Sequence, residues 1–160
     1  MTFWTQPDAS PTRQFRFKVT NGSGTWWWVS SCSKPSYEVS SEEYKLINHK
    51  FKYPGVVTWN DVNLTIVDTN IKTFRLISGL ELTGYYPEES FGDGISKRAS
   101  YNELGTFRIK QLDAEGKTVE SWILKNAFIK STNFGQLDYS SDELVKLELV
   151  IAYDYATLNQ

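Results

Sequence analysis

The chain has 160 residues, 40% hydrophobic and 22% charged, with a formal net charge of −2. That length can bury the core of one domain without disulfides or metal, and the near-neutral balance offers no basic field to neutralise nucleic-acid phosphates. One cysteine (Cys32) excludes an intramolecular disulfide, one histidine (His49) excludes a His-rich metal centre, and no run of apolar residues is long enough to span a bilayer.

Residues 1–13 form an N-terminal arm in this reading. Their opening MTFWTQPDASP lacks the charged-then-apolar order of a secretory signal, so a reducing cytoplasm is the expected compartment. Phe15, Phe17 and Val19 alternate with Arg16, Lys18 and Thr20 before the turn Asn21-Gly22-Ser23-Gly24, which predicts a first hairpin. Its second arm, 25–32, would put Trp26 and Trp28 on one face and Trp27 and Val29 on the other. Residues 34–59, KPSYEVSSEEYKLINHKFKYPGVVTW, are too polar to make a core of their own. They nevertheless carry Tyr37, Tyr44, Leu46, Ile47, Phe51, Tyr53 and Trp59, more apolar surface than a free loop exposes, which predicts contact with another subunit.

Val62, Leu64 and Ile66 alternate with polar residues as in a half-buried strand. Asp68 or Asn70 would cap a helix starting near Ile71, with Ile71, Phe74, Ile77 and Leu80 as its apolar stripe and Gly79 and Gly84 marking where it frays. Residues 83–102, rich in Gly, Pro, Ser and charge, read as a long surface loop with at most a turn of helix. Strands 107–112 and 118–124 flank the tight connection Asp113-Ala114-Glu115-Gly116-Lys117. The clearest alternation closes the chain: Val145, Leu147, Leu149, Ile151, Tyr153 and Tyr155 oppose Lys146, Glu148, Val150, Ala152 and Asp154, with Leu147, Leu149, Ile151 and Tyr153 expected in the core. One helix among about six strands, with no βαβ rhythm, predicts a mainly β domain: an antiparallel barrel or sandwich with one flanking α-helix.

Candidate chemistry is sparse. Cys32 and His49 could form a thiol-imidazole pair, but both lie in segments better explained as a strand end and a polar loop. The doublets Glu42-Glu43 and Glu88-Glu89 read as solvated surface, and Gly92-Asp93-Gly94 lacks the strand, helix and lysine of a phosphate-binding loop. Trp26-Trp27-Trp28 could offer sugars a stacking platform, yet three consecutive rings on a strand cannot face one ligand. No catalytic, cofactor or metal site is predicted.

The segment 34–68, followed near the end by LDYSSDELVKLELVIAYDY (137–155), resembles the tail tube proteins of contractile-tailed bacteriophages, a family that includes the type VI secretion tube. The shared features are an extended loop leading through Pro54-Gly55 into an alternating strand, then an acidic-aromatic turn, a long amphipathic final strand and a closing Asp-Tyr pair. The resemblance implies a β-barrel or sandwich with a helix on its flank, whose extended loop reaches the neighbouring ring. It also implies homohexameric rings stacked into the inner tube of a virion tail, assembled in the host cytoplasm with sheath and baseplate proteins. DNA would pass through the lumen without specific binding. The triple Trp and the 83–102 loop depart from the family pattern and leave open a baseplate-proximal initiator or a terminator. A type VI secretion tube and an aromatic-rich carbohydrate-binding module are the remaining alternatives.

Overall fold

The computed structural model describes residues 11–69, 72–86, 88 and 94–159, the side chain of Phe74 excepted. Most of the expected N-terminal arm, the Asn70 cap, Ile71 and Gly92-Asp93 lie outside the described residues.

Among the described residues, two antiparallel sheets enclose the core. Sheet A has the order β11-β8-β7-β1-β2, from β1 (Phe17–Asn21), β2 (Gly24–Thr25), β7 (Phe107–Leu112), β8 (Thr118–Lys125) and β11 (Tyr155–Asn159). Sheet B has the order β3-β6-β10-β9, from β3 (Val29–Cys32), β6 (Val62–Val67), β9 (Phe128–Asn133) and β10 (Lys146–Ala152). Sheet A gives the core Val19, Phe107, Ile109 and Leu124; sheet B gives Val62, Leu64, Ile66, Leu147, Leu149 and Ile151. The sheets form an open sandwich, not a closed barrel. A third, separate sheet is the hairpin of β4 (Ser36–Leu46) and β5 (His49–Asn60), so the segment expected as an extended loop is a two-stranded ribbon.

The chain crosses directly between sheets A and B three times without a helix. The first change breaks the expected second arm of the opening hairpin. β2 pairs with β1 through Thr20↔Thr25, and β3 then pairs with β6 in the other sheet. Trp26 causes the break by turning into the core, edge-on to Phe107 at 5.9 Å between ring centres. The second change, β8 to β9, passes through Asn126 at φ 54, a left-handed conformation that Asn tolerates better than most residues. The third, β10 to β11, passes through Tyr153 and Asp154, and so ends the long alternation: Tyr155 is exposed instead of continuing the buried row.

Asp154 ties two of these crossings together. Its backbone N–H donates to the Lys125 carbonyl, its carboxylate accepts from Asn126 Nδ2 at 2.7 Å, and Lys97 Nζ lies 2.6 Å from Oδ2.

Among the described residues two helices, not one, accompany the sheets. α1 (Lys72–Leu82) turns Leu76 toward the core and leaves Ile77 and Leu80 exposed. A row spaced by three drifts about 60° per step on a helix of 3.6 residues per turn, so the expected stripe winds off the buried face. Asp68 accepts from the Thr73 hydroxyl and caps no described amide. α2 (Lys97–Leu104) occupies the end of the expected 83–102 loop. Ser96 Oγ accepts from Ala99 N–H, and Gly105, at φ 71, closes the helix through a hydrogen bond to the Tyr101 carbonyl. α2 buries Ser100 and Leu104.

Leu149 is 1% exposed. Leu149→Asp places a charge in the core and is expected to cost on the order of 3 kcal/mol or more; chemical denaturation that matched the parent would place the register one residue off. For Asp154, hydrogen bonds from Lys97 and then Asn126 hold the carboxyl below the ordinary carboxylate range. Its contribution is therefore present at neutral pH and lost as pH falls through that lowered value. Melting curves of the parent and Asp154→Ala should differ at pH 7 and converge in acid.

Candidate assembly surface

The β4–β5 hairpin leaves the sandwich at one end of sheet B. Its root is held by aromatic contacts: Tyr37 lies 5.3 Å from Trp59, and Trp59 lies 6.0 Å from Tyr153, the residue that follows β10. Burial pushes the Tyr153 hydroxyl above its usual range, with the Ser36 backbone pulling the other way and the Asp61 carboxylate adding to the rise. Beside the root, Lys34 Nζ pairs with Glu120 at 3.1 Å. Beyond it, β4 and β5 stand exposed from end to end apart from Trp59 and Asn60. Arms of 11 and 12 residues carry the tip roughly 35 Å out at about 3.3 Å per residue.

The ribbon has two differently built halves, separated by a β-bulge. Pairing runs Val39↔Val57 and then Ser41↔Pro54, so Ser40 faces both Gly55 and Val56. Ser40 Oγ accepts the freed Val56 N–H at 2.9 Å. A side chain at Gly55 would run into Ser40 Oγ and come within 3.2 Å of the Ser40 carbonyl, so the bulge needs glycine. Pro54, which cannot donate to a ladder, is accommodated at the same irregularity.

Because side chains alternate along each strand, the bulge moves the apolar stripe to the opposite face. Below it, Tyr37, Val39, Val57 and Trp59 share one face. Above it, that face is charged: Glu43 pairs with Lys50 at 3.3 Å and reaches Lys52 at 4.0 Å, and Lys45 lies directly across from Lys50. Tyr44, Leu46, Phe51 and Tyr53 occupy the other face, with His49 edge-on to Phe51 at 4.7 Å. Ile47, at the tip, is 86% exposed and held at φ 48, a strained conformation for a β-branched residue. A ribbon with large apolar side chains on both sides is suited to contact with other protein surfaces.

All seven residues expected to make contacts lie on this hairpin, while Leu147, Leu149 and Ile151 are buried in the sandwich and Tyr153 is half-buried beneath the hairpin root. Sequence reasoning missed Val39, Val56 and Val57, which are exposed on the hairpin. The pairs Tyr37/Val39 and Val57/Trp59 already carry the period of two that marks them as arms of one ribbon. It also missed Leu137, Tyr139 and Leu144, all exposed on the turn between β9 and β10.

Other candidate sites separate in space or lose their chemistry. Cys32 packs against the core and His49 lies at the far end of the hairpin, so they form no dyad. Burial pushes the Cys32 thiol up to about 12. The three tryptophans do not share a face: Trp26 is edge-on to Phe107, Lys72 Nζ lies 3.0 Å over the Trp28 ring, and Trp27 projects into solvent. Among the described residues, no helix is long and apolar enough to cross a membrane.

No protein-family model matches the chain, and no curated protein matches it significantly. Solved structures do match. A chain of the sheath/tube terminator of PVC, an extracellular contractile injection system, aligns at a TM-score of 0.73 and 19% identity, over 94% of this chain and 98% of that one. A chain of the anti-feeding prophage cap, the tube-terminating cap, aligns at 0.71 and 19%, over 94% and 91%. Hcp1 from Flavobacterium johnsoniae aligns at 0.52 and 10%, over 90% and 94%. The chain therefore has the fold of the tail tube and tube-terminator proteins of contractile injection systems.

With its pKa near 12, the Cys32 thiol should be alkylated by iodoacetamide at pH 8 at least a hundredfold more slowly in the folded protein than in denaturant, since the thiolate is the nucleophile. Mass spectrometry of timed samples measures the ratio, and comparable rates would mean that Cys32 is exposed in solution.

Proposed function

We propose that this protein is a structural subunit of the inner tube of a contractile tail or contractile injection system. It closes into homohexameric rings that stack inside a sheath on a baseplate and enclose a channel for the delivered cargo, DNA in a phage tail. The observation that carries this proposal is the free-standing hairpin, whose large apolar side chains are exposed on both faces of a ribbon that no third strand among the described residues joins.

A subunit with different surfaces on its two ends makes head-to-tail contacts; a suitable rotation closes a ring, and rings with unlike faces stack without limit. Open sheet edges at β2, β3, β9 and β11 give lateral neighbours a backbone to pair with. The net charge of −2 suits a channel wall that does not hold phosphates. Such a protein is structural and needs no catalytic centre.

A terminator role is the second reading, favoured by the similarity to chains of a sheath/tube terminator and of a tube-terminating cap. The two readings differ in outcome: a tube subunit polymerises, whereas a terminator stops at one ring or one short stack.

Negative-stain microscopy of the purified protein should show rings or tubes with a central hole. The double change Leu46→Asp with Phe51→Asp should leave the circular dichroism spectrum and melting temperature intact while abolishing stacking, because it plants charges in a desolvated joint. Normal tubes from this variant would rule out stacking through the hairpin, and an unfolded monomer would mean that the hairpin packs on its own sandwich.

A further inference from the structure

The two ends of sheet B carry opposite chemistry. The pairings Val29↔Ile66, Ile66↔Leu147 and Glu148↔Asn133 put the start of β3 and the ends of β6 and β9 beside the start of β10. The pairings Cys32↔Leu64, Ile151↔Val62 and Ala152↔Phe128 define the other end. The hairpin, entered from β3 and leaving into β6, rises from that second end. The turn at residues 134–145, which joins β9 to β10, lies at the first.

Above its bulge the hairpin carries Tyr44, Leu46, Phe51 and Tyr53 on one face, with Glu42 beside Tyr53, and Lys45, Lys50 and Lys52 on the other. Lys45 and Lys50 are cross-strand partners, an arrangement that like charges disfavour in an isolated ribbon. Glu43 is the carboxylate paired with Lys50 and Lys52, and Glu42 lies on the other face across from Tyr53, so Lys45, Lys50 and Lys52 still outnumber the two glutamates of the upper half.

The turn at 134–145 is the inverse. It contains Asp138, Asp142 and Glu143 and no Lys or Arg, and none of these carboxylates forms an ion pair among the described residues. Between them Leu137, Tyr139 and Leu144 are exposed, Leu137 at 85%. The turn has a defined shape. Asp138 Oδ1 accepts from Ser140 N–H at 2.9 Å and Ser140 Oγ at 2.7 Å, and Glu143 N–H donates to Ser141 Oγ at 3.3 Å. Gly135, at φ 85, lies where a Cβ would stand 2.7 Å from the Lys146 carbonyl.

We propose that this acidic turn is the docking surface for the hairpin tip of a second copy of the chain. Leu137, Tyr139 and Leu144 cover Ile47 at the exposed tip while Asp142 and Glu143 meet the neighbouring cross-strand pair Lys45 and Lys50. The proposal deepens the stacking role of the hairpin and rests on it; what it adds is the receiving surface. Both charge and apolar character match, and the partners lie at opposite ends of one protomer, as a head-to-tail contact requires.

Charge reversal within the full-length protein tests the pairing. Asp142→Lys with Glu143→Lys spares Asp138 and its turn hydrogen bonds. Each reversed pair, this one or Lys45→Glu with Lys50→Glu, should keep the parent melting temperature and lose pelletable tubes. The chain carrying all four changes should recover them, because the ion pairs are restored with signs exchanged. Tubes from the Asp142/Glu143 variant, when Leu46→Asp with Phe51→Asp forms none, would overturn the acidic turn as receiver and leave hairpin stacking intact. Tubes from both would overturn the stacking role itself. If both reversed pairs lose tubes and the fourfold variant does not regain them, the two surfaces bind something other than each other, such as a sheath or baseplate protein, and the pairing is overturned.

Discussion

The inner face of β10 sets the orientation of everything beyond the core. Leu147, Leu149 and Ile151 are buried between the sheets, and the same period of two carries on to Tyr153, whose ring lies beside Trp59 at the hairpin root. Core register and hairpin placement are thus one constraint. A one-residue slip would send the inward row into solvent and remove Tyr153 from under Trp59, so the cost of misplacing the hairpin includes the cost of exposing the core.

The bulge at Ser40, Gly55 and Val56 gives the ribbon two working faces. A regular hairpin with one apolar face could cover a single surface; this one turns Tyr37, Val39, Val57 and Trp59 one way and Tyr44, Leu46, Phe51 and Tyr53 the other. The lower stripe is continuous with Tyr153 and the subunit's own body, whereas the upper stripe stands exposed among the described residues. Free strands with apolar faces are an aggregation hazard, and here charge limits the hazard: the back of the upper half is lined with Lys45, Lys50, Lys52 and Glu43. A partner must match both a wet basic face and a dry aromatic one, which favours specific docking over indiscriminate sheet extension.

Much of this was legible in the sequence because strand periodicity survives without tertiary information. The alternation from Leu147 to Ile151, the 107–112 and 118–124 strands and the apolar load of 34–59 all appear as patterns of two or as composition. Strands that change sheets were not legible, since alternation does not reveal which sheet a strand joins: the row from Val145 to Tyr155 looks unbroken, yet the chain crosses at Tyr153-Asp154. The second helix was hidden among glycines and serines whose composition suggests a loop. Two of them, Ser96 and Gly105, are the caps that bound it. The hairpin was concealed in the same way, because Pro54-Gly55 reads as the end of an extended loop leading into a strand and is instead a bulge within one.

A net charge of −2 conceals a polar distribution of charge along the molecule. Excess lysine lies at the hairpin tip, and carboxylates with no ion pair among the described residues lie on the turn at the other end of sheet B. In an isolated subunit both are merely solvated, and screening over roughly 8 to 10 Å at ordinary salt keeps them from sensing each other across the sandwich. In the proposed contact between subunits the same charges would meet and act with the apolar residues beside them. This makes the hairpin directional: two tips repel through their lysines and two acidic turns repel through their carboxylates, so head-to-head and tail-to-tail encounters are disfavoured and head-to-tail encounters remain. Directionality of that kind is what a polymer needs if every added ring is to present the same face as the last.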